Sequence, residues 1–234
     1  MIYAISDLHG CPPEQFFALL KKAEFSDGDF LFVLGDVIDR GEHGITLLRW
    51  MAEQPNVQML LGNHEAMMLS CEFLFQQITE ETLADLDAEK LAMYHTWLEN
   101  GGEDTITQFH ALMKQDPEVA MGLLDYLHEA PLYELLEVND RKILLVHGGL
   151  ENFAPDKPLD DYEPDDFLWA RPRWDTRYYE DILTVFGHTP TIAFGLENRR
   201  RALRRPTWIC IDAGVSAGFA PMLLRLDDLK EFYL

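Results

Sequence analysis

Gly35-Asp36-Val37-Ile38-Asp39-Arg40-Gly41 follows directly on the apolar run Phe30-Leu31-Phe32-Val33-Leu34. An unbroken apolar run closed by glycine, with charge packed immediately after it, reads as a buried parallel strand ending in a functional loop. Two carboxylates and a guanidinium within five residues are costly to hold together beside an apolar core. A metal ion and a bound phosphate would neutralise them.

The same pattern recurs outward from this stretch. Met1-Ile2-Tyr3-Ala4-Ile5 runs into Ser6-Asp7-Leu8-His9-Gly10 and reads as a first strand, not a leader segment. Pro12-Pro13 opens a helix whose apolar face is Phe16, Phe17, Leu19, Leu20 and Ala23. A second helix carries Ile45, Leu47, Leu48 and Met51, and a third strand over 57–61 ends in Gly62-Asn63-His64-Glu65. Strand, helix, strand, helix, strand with short connections predicts a parallel sheet with right-handed crossovers.

Residues from 66 to about 130 are rich in Leu, Met, Ala and Glu at helical spacing. They predict a helical insertion, with one helix stopping at Glu99-Asn100-Gly101-Gly102. Strands return over 132–138 and 142–146 around Asn139-Asp140, a hairpin turn, and the second ends in His147-Gly148-Gly149. Leu183–Phe186 ends in Gly187-His188-Thr189, and strands near 191–195, 207–211 and 221–226 predict a hairpin-like C-terminal half. The 234 residues suit one domain, 1–234, with the helices as an insertion against the sheet.

Composition narrows the function. A formal net charge of -22 repels nucleic acid polymers and anionic membranes, and any phosphorylated substrate needs local cations. No apolar run approaches a membrane span. The three cysteines, Cys11, Cys71 and Cys210, are odd in number and widely separated, which points to a reducing cytoplasm. Cys11 reads as a small structural residue. His43, His95, His110 and His128 belong to no motif and read as ordinary helix or surface residues. Arg199-Arg200-Arg201 with Arg204-Arg205 reads as a solvated hairpin tip. Trp169 and Trp174 read as packing around a polar loop, and Met67-Met68 as core.

Ligands of open α/β sheets collect at the carboxyl ends of the strands. Five strand ends here carry metal-capable residues: Asp7 and His9, Asp36, Asn63 beside His64, His147, and His188. A mixed oxygen and nitrogen set without thiolate favours Mn²⁺, Fe or Zn²⁺ in a catalytic role over a structural zinc.

Together these segments closely resemble the calcineurin-like metallophosphoesterases, and within them the phosphoprotein phosphatase family. That signature reads GDxHG, GDxxDRG, GNHE, HGG or HAG, and GHT. Here it stands at Ser6–Gly10, with serine in place of the first glycine, and at Gly35–Gly41, Gly62–Glu65, His147–Gly149 and Gly187–Thr189. Cys11 and Asn100-Gly101-Gly102 with Thr105 resemble the small bacterial and phage branch. The resemblance is loose through 70–135.

The resemblance implies an α/β sandwich of two mixed sheets flanked by helices. It implies two divalent ions, most simply Mn²⁺, one held by Asp7, His9 and Asp36 and the other by Asp36, Asn63, His147 and His188. Two ions sharing a carboxylate would sit about 3.5–4 Å apart, with a bridging hydroxide for in-line attack on phosphorus. His64 would be the general acid, paired with Asp39. Arg40, Arg171 and Asn63 would bind the phosphoryl oxygens. The expected activity is serine/threonine protein phosphatase, with a phosphorylated protein or peptide as partner. The alternative is symmetrical hydrolysis of dinucleoside polyphosphates such as diadenosine tetraphosphate, by enzymes that share the motif set. A non-catalytic scaffold would have lost ligands, and none is missing.

Overall fold

The computed structural model describes residues 1–77 and 79–234, without the side chains at 81 and 83. Chain order gives β1 (Ile2–Ile5), α1 (Pro13–Lys22), β2 (Phe30–Val33), α2 (Gly44–Ala52), β3 (Val57–Met59) and α3 (Asn63–Ser70). Four more helices follow: α4 (Glu80–Ala84), α5 (Ala88–Glu99), α6 (Glu103–Gln115) and α7 (Pro117–His128). Then come β4 (Tyr133–Val138), β5 (Arg141–Val146), α8 (Pro164–Leu168) and β6 (Ile182–Phe186). The chain closes with β7 (Leu203–Arg204), β8 (Trp208–Cys210), β9 (Leu223–Arg225) and β10 (Glu231–Phe232).

Two five-stranded mixed sheets result, with orders β10-β9-β1-β2-β3 and β4-β5-β6-β8-β7. In the first, β1, β2 and β3 are parallel and β9 runs antiparallel to β1. In the second, β5, β6 and β8 are parallel while β4 and β7 are antiparallel edges.

Side-chain alternation explains the layering. Ala4, Phe32 and Leu34 point between the sheets, where they meet Ile143, Leu145, Val185 and Ile209. Tyr3, Ile5, Leu31 and Val33 point the other way, under α1, α2 and the inserted helices. Leu144, Val146 and Phe186 cover the outer face of the second sheet with Tyr162, Phe167 and Tyr178. Both faces of the central strands are therefore buried, which is why their sequence is apolar throughout.

Three expectations change. The predicted third strand over 57–61 ends at Met59, and Asn63 and His64 open α3 rather than closing a strand. The predicted strand at 191–195 is a 3₁₀ turn, Thr191–Phe194, entered through Pro190. Proline has no N–H for a ladder and fixes the chain into a turn there. The C-terminal half is also not a run of hairpins, because β6 and β8 pair in parallel and β9 leaves for the first sheet. Among the described residues, no helix is long and apolar enough to cross a membrane.

Candidate metal centre

The site forms where the two sheets' strand ends meet. Asp7, Asp36, His147 and His188 follow β1, β2, β5 and β6, and Asn63 and His64 lie in the first turn of α3 after β3. All six are buried. Asp7, His9, Asp36, Asp39, Arg40 and His188 all have positive φ, between 41° and 68°. Left-handed backbone costs a non-glycine residue about 1–2 kcal/mol, and such strain persists only where surroundings enforce it. Here the enforcement is a lattice of main-chain bonds: the N–H groups of Asp7, His9 and Gly10 donate to the carbonyls of Gly35, Asp36 and Val37, and the Arg40 N–H donates to Gly101.

Glu65 organises the loop quoted at the outset. Its buried carboxylate accepts the N–H groups of Asp36 and Val37, both at 2.8 Å, Ile38 at 3.2 Å and Gly62 at 3.1 Å. Sequence reading quoted Glu65 in its motif but gave it no task. Glu65→Gln would set an amide NH₂ against these donors. It is expected to destabilise the fold by about 2–4 kcal/mol, read from urea melts of the metal-free protein. Gly35 and Gly62 let loop and helix approach, since a Cβ on Gly35 would lie 2.5 Å from the Gly62 Cα. Asp36 Oδ1 then accepts the His64 N–H at 3.1 Å and caps α3.

Hydrogen-bond chemistry shows what the cluster can hold. His147 Nδ1 is 2.6 Å from the Leu34 carbonyl oxygen, which can only accept, so Nδ1 carries the ring proton. The lone pair on Nε2 faces Asn63 Oδ1 at 2.9 Å, His188 Nδ1 at 3.2 Å and Asp36 Oδ1 at 3.4 Å. His188 Nε2 is buried with no hydrogen-bond partner. His9 repeats the pattern, with Nδ1 donating to the Ile38 carbonyl at 3.3 Å and Nε2 lying 3.7 Å from Asp36 Oδ2. Imidazoles anchored by a carbonyl at one nitrogen, with the other lone pair turned to a carboxylate, are typical metal ligands; at His9 that lone pair also meets an Arg40 nitrogen at 3.0 Å. Two groups of ligand atoms, His9–Asp36–His64 and Asp36–His147–His188, each converge within 4.8 Å and share Asp36. The residues present therefore fit two cations bridged by one carboxylate.

Asp7 stands slightly apart from its expected place. Both its oxygens lie within 3.0 Å of the His188 N–H, and it belongs to neither converging group. One oxygen suffices for that N–H, so the second is available to an ion. Arg171 lies at the rim, exposed, where its charge acts on His147 and His188. Asp212 is a further buried carboxylate beside Asp7, and no sequence argument picked it out. The signal was present: Trp208–Ile211 is another apolar run, followed by Asp212-Ala213-Gly214.

His64 and Asp39 form a buried pair at 2.6 Å, Nδ1 to Oδ2. The inserted helices complete it: Trp97 Nε1 donates to Asp39 Oδ2 at 2.8 Å and Thr105 Oγ1 to Oδ1 at 2.5 Å. Arg40 spans the front, its two terminal nitrogens each 3.0 Å from an Nε2, one of His9 and one of His64. Its Nε donates to the Asn100 carbonyl at 3.3 Å. Of the histidines outside the motifs, His95 and His128 pair at the surface with Glu99 and Glu72. Arg200 and Arg205 lie over the rings of Phe219 and Trp174, and Arg204 pairs with Glu231.

Burial dominates the electrostatics of the metal-free protein. It raises Asp36, further raised by Asp7 and Glu65, and raises Asp212 to about 7. It lowers His147 to about 3 and His188 to about 2. A raised carboxyl contributes stability below its ordinary value and loses it as pH climbs through the folded value. The lowered histidines contribute above about 6.5 and lose their share as pH falls. The two trends oppose each other in acid, and only the carboxyl loss remains above about pH 6.5. Thermal melts in chelator should thus fall as pH rises from about 6.5 through about 7, where Asp212 ionises and the histidines no longer offset the loss. A melting temperature that climbs across that interval contradicts this balance.

The sequence model of the family described as calcineurin-like phosphoesterase matches residues 1–217. The chain is 30% identical over 151 residues to the symmetrical bis(5'-nucleosyl)-tetraphosphatase of Buchnera aphidicola subsp. Schizaphis graminum, covering 64% of this chain and 44% of that protein. It is 25% identical over 251 residues to the asymmetrical bis(5'-nucleosyl)-tetraphosphatase PrpE of Halalkalibacterium halodurans, covering 97% and 90%. The chain therefore spans less than half the length of the first of these relatives. A solved structure provisionally named a diadenosine tetraphosphatase superposes with a TM-score of 0.63 at 17% identity, over 100% of this chain and 92% of that one. A mutant cold-active protein tyrosine phosphatase superposes at 0.59 and 18% identity, over 98% and 76%. At such identities the structural likeness speaks to the fold alone.

Proposed function

We propose that this chain, which belongs to the calcineurin-like phosphoesterase family, is a metal-dependent phosphomonoesterase acting on phosphoserine and phosphothreonine in proteins. The observation that carries the reading is the pair of converging groups sharing Asp36, with Arg40 spanning His9 and His64 and Asp39 behind His64. Asp7, His9 and Asp36 would hold one ion, and Asp36, Asn63, His147 and His188 the other. When bound, the two ions supply Lewis acidity and an activated water for in-line displacement at phosphorus. Mn²⁺ suits the mixed oxygen and nitrogen set, and Fe or Zn²⁺ would also be accepted.

The remaining work falls to the chain itself. Arg40 aims a fork of donors at the space shared by the His9 and His64 rings, and there it would bind two phosphoryl oxygens. Arg171 at the rim would add a second cation, and Asn63 an amide contact. His64 Nε2 would deliver a proton to the departing oxygen while Asp39, fixed by Trp97 and Thr105, holds the ring in place. That device matters most for a basic alkoxide leaving group, such as that of serine or threonine.

A second reading, hydrolysis of dinucleoside polyphosphates, is favoured by the names of the relatives. Its leaving group is a phosphate, which needs less protonation, and its extra negative charges would meet a chain of net charge -22. The deciding measurement is kcat/KM for phosphoserine peptides against diadenosine tetraphosphate, with Mn²⁺ present. A preference of several orders of magnitude for the dinucleotide would overturn the phosphoprotein reading.

A further inference from the structure

A groove of about 320 Å³ leads away from the metal centre between α3, α5 and the end of α8. Asn63, whose Oδ1 meets His147 at 2.9 Å, forms its inner end, so a group lying in the groove would be continuous with one held at the ligand cluster. Met67 of α3, Met93 of α5 and Trp169 line its walls. Trp169 is not packed away as the sequence suggested. It is 40% exposed and stands edge-on to the His188 ring at 6.0 Å. Glu89 of α5 and Asp165 of α8 both line the groove, both are exposed, and neither has an ion-pair partner among the described residues. Among the described residues, no lysine or arginine lines the groove.

We infer that this groove is a substrate subsite for the peptide chain next to the phosphorylated residue, and that it selects a lysine or arginine there. The inference rests on the phosphoprotein reading above and deepens it. Charge complementarity points to this occupant. The aliphatic stem of a basic side chain covers Met67 and Met93 while its charged head stays in water. The head is then near the carboxylates of Glu89 and Asp165 and the Trp169 ring, which line the same groove. A phosphate-rich neighbour meets the same two carboxylates with no cation to offset them. An acidic flanking residue is rejected for the same reason, so the groove discriminates by repulsion as well as attraction. Both carboxylates are exposed, so each contributes modestly and the effect weakens in salt.

The test uses two phosphoserine peptides, identical except for lysine or glutamate at the positions flanking phosphoserine. Each is measured against the full chain with Mn²⁺ and against the double variant Glu89→Lys with Asp165→Lys. The ratio of kcat/KM between the peptides within one enzyme is the readout, so general loss of activity cancels. The lysine peptide is expected to lead by about tenfold in the unaltered chain, mostly through KM, from two contacts of ordinary surface strength. In the double variant the ratio falls to one or below. Equal turnover of both peptides by the unaltered chain overturns the inference and leaves the phosphoprotein reading standing. An unchanged ratio in the double variant does the same. Cleavage of diadenosine tetraphosphate with neither peptide turned over overturns the phosphoprotein reading, and the groove assignment with it.

Discussion

Replacing His64 by asparagine is expected to lower kcat on phosphoserine peptides by about 10²–10⁴-fold, the usual contribution of a positioned proton donor, with bound metal retained. His64 Nδ1 is tied to Asp39 at 2.6 Å, which leaves only Nε2 to face the reaction. An amide can fill part of the ring's space but cannot carry the proton to a departing alkoxide. The loss should therefore track leaving-group basicity. 4-Nitrophenyl phosphate, whose phenolate departs unaided, should suffer far less than an alkyl ester. A plot of log kcat against leaving-group pKa steepens if His64 is the donor. Parallel lines for the two proteins, with the same fold-loss on every ester, would assign His64 to binding instead. Trp97→Phe removes one of the two donors that fix Asp39, the indole N–H at 2.8 Å. It should show the same leaving-group pattern in weaker form, about tenfold at the basic end, in keeping with loss of one hydrogen bond to a charged group.

Strand ends were legible because a fully buried strand must be apolar, and the change to Asp, Asn or His at its end is abrupt. That rule placed Asp7, Asp36, His147 and His188, and it would equally have found Asp212 had it been applied after Trp208–Ile211. The start of α3 was not legible. Gly62-Asn63-His64 continues an apolar run, and what turns it into a helix is remote: Asp36 capping the His64 N–H and Glu65 reaching back across the loop. A strand end was expected to carry Asn63 and His64 side by side. In the structure the first turn of a helix separates them instead. The roles of Trp97 and Thr105 were hidden for a different reason. Their spacing is that of an ordinary helical core, and only the fold shows that their polar atoms end on Asp39. The helices expected as an insertion against the sheet thus reach into the chemistry of the site.

Asp36→Asn should produce effects of opposite sign in the presence and absence of metal. Asp36 is the one residue common to both converging groups, so its charge would serve two ions at once. Outer-shell partners of metal ligands already change affinity by 10–100-fold, and loss of the bridging charge should exceed that, lowering activity by more than about 100-fold at limiting Mn²⁺. Manganese bound per chain should drop below one. In chelator the prediction reverses. Burial, and then the carboxylates of Asp7 and Glu65, push the Asp36 carboxyl well above its ordinary range. Such a group stabilises the fold only while protonated, and that contribution is lost as pH rises through its folded value. An amide in its place keeps an oxygen for the His64 N–H and brings no charge to be buried. The metal-free variant should therefore melt at or above the temperature of the unaltered protein at pH 8, and the Mn²⁺-dependent rise in melting temperature should disappear. A residue that merely supported the loop would behave otherwise, because its replacement would lower both melting temperatures together. A variant that melts lower in chelator yet gains as much from Mn²⁺ as the unaltered protein would remove Asp36 from the bridging position.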